Sequence, residues 1–159
     1  MLEGITIEPF RPEHADAFAA LNRAWLVEHE LLEPADEKVL LDPWTHIIEP
    51  GGHLFIALNG SEVLGTSALI PHGEPGVFEL AKLAVAPSAQ GRGLGRRLVE
   101  VCLAEARREG ASRVMLLSNS RLARAVALYE AMGFAHRPLP PVLPYHSADV
   151  CMELDLNTR

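Results

Sequence analysis

Seven consecutive residues carry the strongest chemical signal in the chain: Gln90-Gly91-Arg92-Gly93-Leu94-Gly95-Arg96. Glycine at every second position lets a backbone turn tightly and approach a ligand closely. The segment before it, Leu83-Ala84-Val85-Ala86-Pro87, reads as the end of a buried strand, stopped by a proline that lacks a ladder N–H. After it, Leu94, Leu98, Val101 and Cys102 recur at helical spacing. A helix that opens on such a turn offers unpaired N–H groups and the positive end of its dipole, which suits a phosphate-type anion. Two familiar phosphate loops are excluded. A Walker loop needs Gly-Lys-Ser/Thr, and the only lysines, Lys38 and Lys82, do not follow a glycine. A dinucleotide fingerprint counted from Gly91 and Gly93 requires a glycine where Arg96 stands.

What remains, Gln90-x-x-Gly93-x-Gly95 directly after the strand, resembles the pyrophosphate loop of the GNAT superfamily of acyl-CoA-dependent N-acetyltransferases. A second stretch, Leu128-Tyr129-Glu130-Ala131-Met132-Gly133-Phe134, is similar to the helix end and following strand of the same family, one strand further on. The resemblance implies an open α/β (α+β) fold. Its sheet is mixed and mostly antiparallel, with about seven strands, about four flanking helices and splayed middle strands. It also implies acetyl-CoA as acyl donor and direct transfer to a primary amine in a ternary complex. In that reading the backbone of Leu83, Ala84 and Val85 binds the pantetheine arm, and the Val85 N–H polarises the thioester carbonyl. The N–H groups from Gln90 through Gly91, Arg92, Gly93, Leu94 and Gly95 to Arg96 hold the pyrophosphate. The Arg92 side chain is an extra partner, and Arg96 and Arg97 are free to face solvent. Tyr129 matches the tyrosine that protonates the departing thiolate, work suited to a phenol with a pKa near 10.

Glu79 is the candidate general base. Strict alternation along the strand puts Val77, Glu79, Ala81, Leu83 and Val85 on one face, with Glu79 the lone carboxylate. Partial burial there raises a carboxyl pKa toward a useful range. Lys82 falls on the opposite face, toward solvent or a neighbouring carboxylate. The chain departs from the family at Leu122, where many members carry an asparagine seven residues before the tyrosine; Asn119 is the substitute candidate. In the family the first helices and a late loop wall the acceptor site. Trp25, Glu28, His29, Glu33 and Trp44, and then Tyr145 and His146, are therefore candidates, each with packing or solvation as the plainer role. Glu28-His29-Glu30 lacks a second histidine at helical spacing, so no metal is expected.

The elements that must position these groups are legible in order. Ile5 to Phe10 alternates as a strand, and Pro12 opens a helix to about Glu30. A short helix spans Ala35 to Leu41. Leu54–Leu58 and Val63–Ile70, joined by Asn59-Gly60, read as a hairpin whose turn takes the positive φ angles of Asn-Gly. Val77–Val85 completes an antiparallel meander. A strand over Val114–Leu117, a helix over Arg121–Ala131 capped by Gly133, and strands over Phe134–Arg137 and Asp149–Leu156 follow. The proline-rich Pro138–Ser147 is a shaped loop.

Composition bounds the rest. The 159 residues suit one domain, 1–159. Net charge is −7, which argues against a general nucleic-acid binder. It suits a small-molecule amine or a protein or peptide amine as partner. No apolar run approaches a membrane span and the N-terminal residues do not read as a leader, so a cytoplasmic protein with two reduced cysteines is expected. Pairing of the C-terminal edge strands offers a route to a homodimer. Two other readings stay open: a non-catalytic acyl-CoA-binding or sensing domain, and a protein-interaction domain on the same fold.

Overall fold

A computed structural model describes residues 2–157; Met1, at the start of the stretch read for a leader, lies outside it, as do positions 158 and 159. Seven strands form one sheet in the order β1-β2-β3-β4-β5-β7-β6. They are β1 (Thr6–Pro9), β2 (His53–Asn59), β3 (Glu62–Pro71), β4 (Val77–Val85), β5 (Arg113–Ser118), β6 (Ala135–Arg137) and β7 (Val150–Asp155). Only β4 and β5 run parallel, and only over three residue pairs, Val77–Arg113 to Glu79–Met115. Beyond Glu79 the two strands part, as the resemblance implied, and a gap opens between Leu80–Val85 and Leu116–Ser118.

Helices α1 (Ala15–Glu28) and α2 (Pro34–Leu41) cover one face; α3 (Leu94–Arg108) and α4 (Ala123–Ala131) cover the other. Val99, Cys102 and Leu103 of α3 and Tyr129 of α4 pack on Phe78, Leu80, Val114 and Leu116, while Phe18 and Leu40 pack on Leu54, Ile56 and Ala68. Each fully buried side chain of this size contributes about 1.5–3 kcal/mol. Leu94 and Leu98 fix the start of α3 against Val85. Gly65 of β3 makes that approach possible, because a Cβ there would lie 2.8 Å from Leu98 Cδ1. At its other end α4 closes in a Schellman motif. Gly133, at φ +98°, donates to Glu130 C=O, and Phe134 N–H donates to Tyr129 C=O. The cap fixes the last turn of α4, which carries Tyr129.

Three sequence expectations are corrected. The hairpin turn is Gly60-Ser61, with Asn59 still paired to Glu62. Only Gly60 of the two takes positive φ, as at the first position of a type II′ turn. α4 begins at Ala123 rather than Arg121, because Asn119 folds into a local turn that takes the Arg121 N–H on its side chain and the Leu122 N–H on its carbonyl. The alternation of β4 breaks at Lys82, which sits at φ +52°. There the register with β3 slips, so that Ser67 opposes two residues of β4. The bulge moves Lys82 to the α1/α2 side, with Glu79, and turns Leu83 and Val85 toward α3.

Candidate active site

The bulge is held by a buried polar chain. The Thr66 hydroxyl donates to the Lys82 carbonyl at 2.8 Å, and Asn22 of α1 donates to the Thr66 oxygen at 2.9 Å. Ala86 N–H donates to Leu64 C=O at 2.8 Å. By the alternation of an antiparallel ladder, Ala84 is then hydrogen-bonded to Thr66, and the polar backbone groups of Leu83 and Val85 point away from β3. They point into the gap. On that side the Val85 carbonyl is taken by the Gln90 side-chain amide at 3.1 Å, which draws the glycine loop onto the strand end. Of the three backbone positions expected to hold an arm in the gap, Leu83 and Val85 are therefore disposed to do so. The ladder groups of Ala84 are already used by β3.

Gly93 is the residue before α3, at φ +81°, and Gly91 is at φ +78°. Among the described residues, the first backbone N–H after Gln90 to reach a carbonyl is that of Arg97, at 3.1 Å from Gly93 O. The N–H groups of positions 91–96 are left for a ligand. Gly91, Gly93, Leu94 and Gly95 line a cavity of about 160 Å³ with Val85 and Leu128. Arg92 is exposed and reaches the Ser88 carbonyl at 3.3 Å, while Arg96 and Arg97 pair with Glu100 on the helix surface.

A second cavity, of about 120 Å³, continues from the first through the gap; Trp25 and Leu83 line both. Tyr129 reaches it from the α4 side. Burial raises the Tyr129 pKa, and its hydroxyl makes no hydrogen bond among the described residues. Glu79 reaches it from the other face. Its side chain is 16% exposed, and burial raises its pKa against the lowering effect of His72 and Lys82. His72, the half-exposed residue after β3, has its Nδ1 3.8 Å from the Glu79 carboxylate.

Lys82, expected on the opposite face, ends at a carboxylate inside this cavity: Nζ lies 2.7 Å from Asp36 Oδ1 and 5.2 Å from the centre of the Tyr145 ring. Asp36, unnoticed in the sequence because it reads as an ordinary carboxylate in the first turn of a helix, also accepts the Glu33 N–H at 2.9 Å. Glu33 lines neither of the two cavities. Its carboxylate accepts the backbone N–H groups of His146 and Ser147, at 2.7 and 3.0 Å, and the Ser147 hydroxyl. Burial opposes its ionisation, but these donors together with His146 outweigh that and lower the Glu33 pKa. Asn119 is similarly engaged, donating from its amide to the Ser147 carbonyl while lining the cavity. The loop between β6 and β7 is thereby pinned to α2 and β5, with Tyr145 over Lys82.

Of the five early acceptor-wall candidates only Trp25 lines the cavity. His29 lies tilted against Trp25, at 4.9 Å between ring centres, and Trp44 lies on the surface. Tyr145 lines it; His146 contributes its N–H to Glu33. At the far end of α3, His53 of β2, Glu105 of α3 and Glu109 just after it bring three ligand-type atoms within 4.8 Å of one another. Arg108 pairs with Glu105 there, so the chain itself supplies a cation. Cys102 is buried on Ser67 with its thiol pushed up to about 12 by desolvation, and Cys151 is also a free thiol. No helix among the described residues is long and apolar enough to cross a membrane.

Comparison with known proteins gives a consistent result. The family described as "Acetyltransferase (GNAT) family" matches residues 14–134. Mycothiol acetyltransferase of Streptomyces avermitilis is 32% identical over 138 residues, covering 84% of this chain and 44% of that protein. The chain thus spans less than half the length of that relative. Among solved structures, an acetyltransferase of the GNAT family from Staphylococcus aureus Mu50 superposes with a TM-score of 0.86 at 17% identity, covering 96% of this chain and 99% of that one. An acetyltransferase from Salmonella typhimurium, solved with its cofactor acetyl-CoA, superposes with a TM-score of 0.79 at 21% identity over 99% of this chain and 96% of that one.

Proposed function

The chain belongs to the acetyltransferase (GNAT) family of acetyl-CoA-dependent enzymes, and we propose that it transfers the acetyl group directly to a primary amine while both substrates are bound. The observation that carries this reading is continuity. The unpaired N–H groups at positions 91–96 and the Val85 N–H, which ladder alternation turns away from β3, lie along one path, which leads through the β4–β5 gap to Tyr129 and Glu79.

The N–H groups of the loop and of the first turn of α3 hold the pyrophosphate, with the helix dipole behind them. Leu83 and Val85 pair with the pantetheine arm as a neighbouring strand would. The Val85 N–H then sits where the thioester oxygen gains charge, and polarises that bond. Glu79 takes a proton from the acceptor ammonium, directly or through water, and frees the nitrogen lone pair. The C–N bond forms, the C–S bond breaks, and Tyr129 gives its hydroxyl proton to the leaving sulfur. Of the two protons the ammonium gives up, one replaces that of Tyr129 and the other passes to solvent. No cysteine is needed as a relay nucleophile: Cys102 is fully buried in the α3 core and its raised pKa keeps it a thiol.

Calorimetric titration with acetyl-CoA, with CoA and ATP beside it, tests the cofactor half. Micromolar binding of the first two and none of ATP is expected. A folded protein that binds neither overturns the reading. Release of free thiol on an amine panel then tests the transfer itself.

A further inference from the structure

We propose that the acceptor of this site is a compact primary amine with no carboxylate on the carbon beside the nitrogen, selected because the single cation in the acceptor cavity is already neutralised by Asp36. The inference rests on the acetyltransferase reading and narrows it.

Among the residues lining the inner cavity only Asp36, Glu79 and Lys82 bear charge. Lys82 is the one cation among them that could pair with a substrate carboxylate. It is not available: Nζ is 2.7 Å from Asp36, both side chains are about nine-tenths buried or more (6% and 5% exposed), and the Tyr145 ring covers it at 5.2 Å. Asp36 is itself fixed by the Glu33 N–H, and Tyr145 by the Glu33 clasp on His146 and Ser147. Moving Lys82 to a new partner would therefore strand a buried carboxylate and open the loop. The pair contributes no net charge, so Glu79 sets the sign of the field. An ammonium is drawn toward it. A carboxylate one carbon away would enter the same small cavity of about 120 Å³ with no cation to pair with and with Glu79 as a like charge. The rest of the lining suits a neutral body: Trp25, Leu26, Leu31, Leu117 and Leu122 offer apolar surface.

The test uses matched acceptors that differ only at that carboxylate: isobutylamine against valine, and 2-phenylethylamine against phenylalanine. Phenylalaninamide supplies comparable bulk without the charge. Rates are compared as kcat/KM per protonated amine, the form the site draws in, at saturating acetyl-CoA. The amine is expected to exceed the amino acid by about 100-fold or more, with the amide close to the amine. An amino acid turned over within a few-fold of its amine overturns the inference, as does an amide rejected as strongly as the acid, which would make bulk the cause. Calorimetry on the CoA-saturated protein asks the same question without turnover; an acid that binds as well as its amine, or a cavity that binds neither, also overturns it. CoA binding in that experiment is read separately, so a failure of the acetyltransferase reading is not mistaken for a failure of this one. Asp36→Asn supplies a second arm, with folding checked by circular dichroism. Freed of its partner, Lys82 should raise the phenylalanine to 2-phenylethylamine ratio at least tenfold, a change of preference that a merely structural Asp36 would not produce.

Discussion

Lys82 Nζ and Asp36 Oδ1 are 2.7 Å apart, and the contact joins the bulge of β4 to the first turn of α2 across the floor of the inner cavity. A buried ion pair adds little over a well-packed apolar substitute, but removing one partner strands the other. Lys82→Met and Asp36→Asn should each cost about 3–5 kcal/mol of unfolding free energy. The double variant should cost clearly less than their sum, since it strands neither charge. Urea denaturation of the four proteins measures the coupling. Additive losses would mean that the two charges do not stabilise each other.

Gly95 separates ligand binding from folding. It lies in the first turn of α3, where a Cβ would meet only Leu128 Cδ2 at 3.8 Å and Val85 Cγ2 at 3.9 Å, ordinary contact distances. Gly95→Ala should therefore fold as well as the parent or better, since alanine in a helix gains about 0.5–1 kcal/mol over glycine. The added methyl stands between two residues that line the loop cavity, and acetyl-CoA affinity should fall about tenfold or more. Thermal unfolding and calorimetry on the same sample decide it. Unchanged affinity would mean that the ligand does not come close to the first turn of α3.

Tyr129→Phe should leave the fold intact, because the hydroxyl opens on the cavity and bonds to no described residue. The ring keeps its place against Phe134, 5.8 Å between centres. A lost general acid should lower kcat by about 10² to 10⁴ with little change in the KM for acetyl-CoA. A variant with parental kcat would assign Tyr129 to the core alone.

The glycine loop was legible because its requirements are local: positive φ at Gly91 and Gly93 and a helix starting at Leu94 are written in adjacent residues. The open seven-stranded sheet followed from periodicity and from two motifs in the right order. The floor of the acceptor cavity was not legible, because its geometry is tertiary. Nothing next to Lys82 in sequence announces a bulge; the group that holds its carbonyl is Thr66, sixteen residues earlier, supported in turn by Asn22 on α1. Strict alternation therefore sent Lys82 to the wrong face and joined Leu83 and Val85 to the face of Glu79, which lies three residues before the break. Glu33 read as a candidate for the acceptor wall and Asp36 drew no notice, and the residues that give Glu33 its role lie more than a hundred positions away at His146 and Ser147.

The pH dependence of turnover should report Glu79, and its sign can be worked out from what surrounds the carboxylate. Burial raises its pKa; His72 just after β3 and Lys82 from β4 pull it back, with Tyr145 on the loop and Asp36 behind Lys82 completing the charged and titratable surroundings. A base must be unprotonated to act, so kcat/KM should fall on the acid side along a limb lying above the ordinary carboxylate value of about 4.3. Glu79→Gln should lower the rate and remove that limb. His72→Gln takes away the imidazole 3.8 Å from the carboxylate, whose influence lowers the Glu79 pKa, and should move the limb to higher pH while leaving the plateau largely intact. Stability must show the complementary trend. The folded state holds the Glu79 proton more tightly than the unfolded chain. The stability it contributes is complete below the ordinary carboxylate range and is lost as pH rises through the raised value. Glu79→Gln should flatten this part of the unfolding profile. A limb that survives Glu79→Gln would move the base to another group. A limb that disappears with it but does not move in His72→Gln would mean that the imidazole is neutral throughout, and that burial and Lys82 alone set the carboxylate.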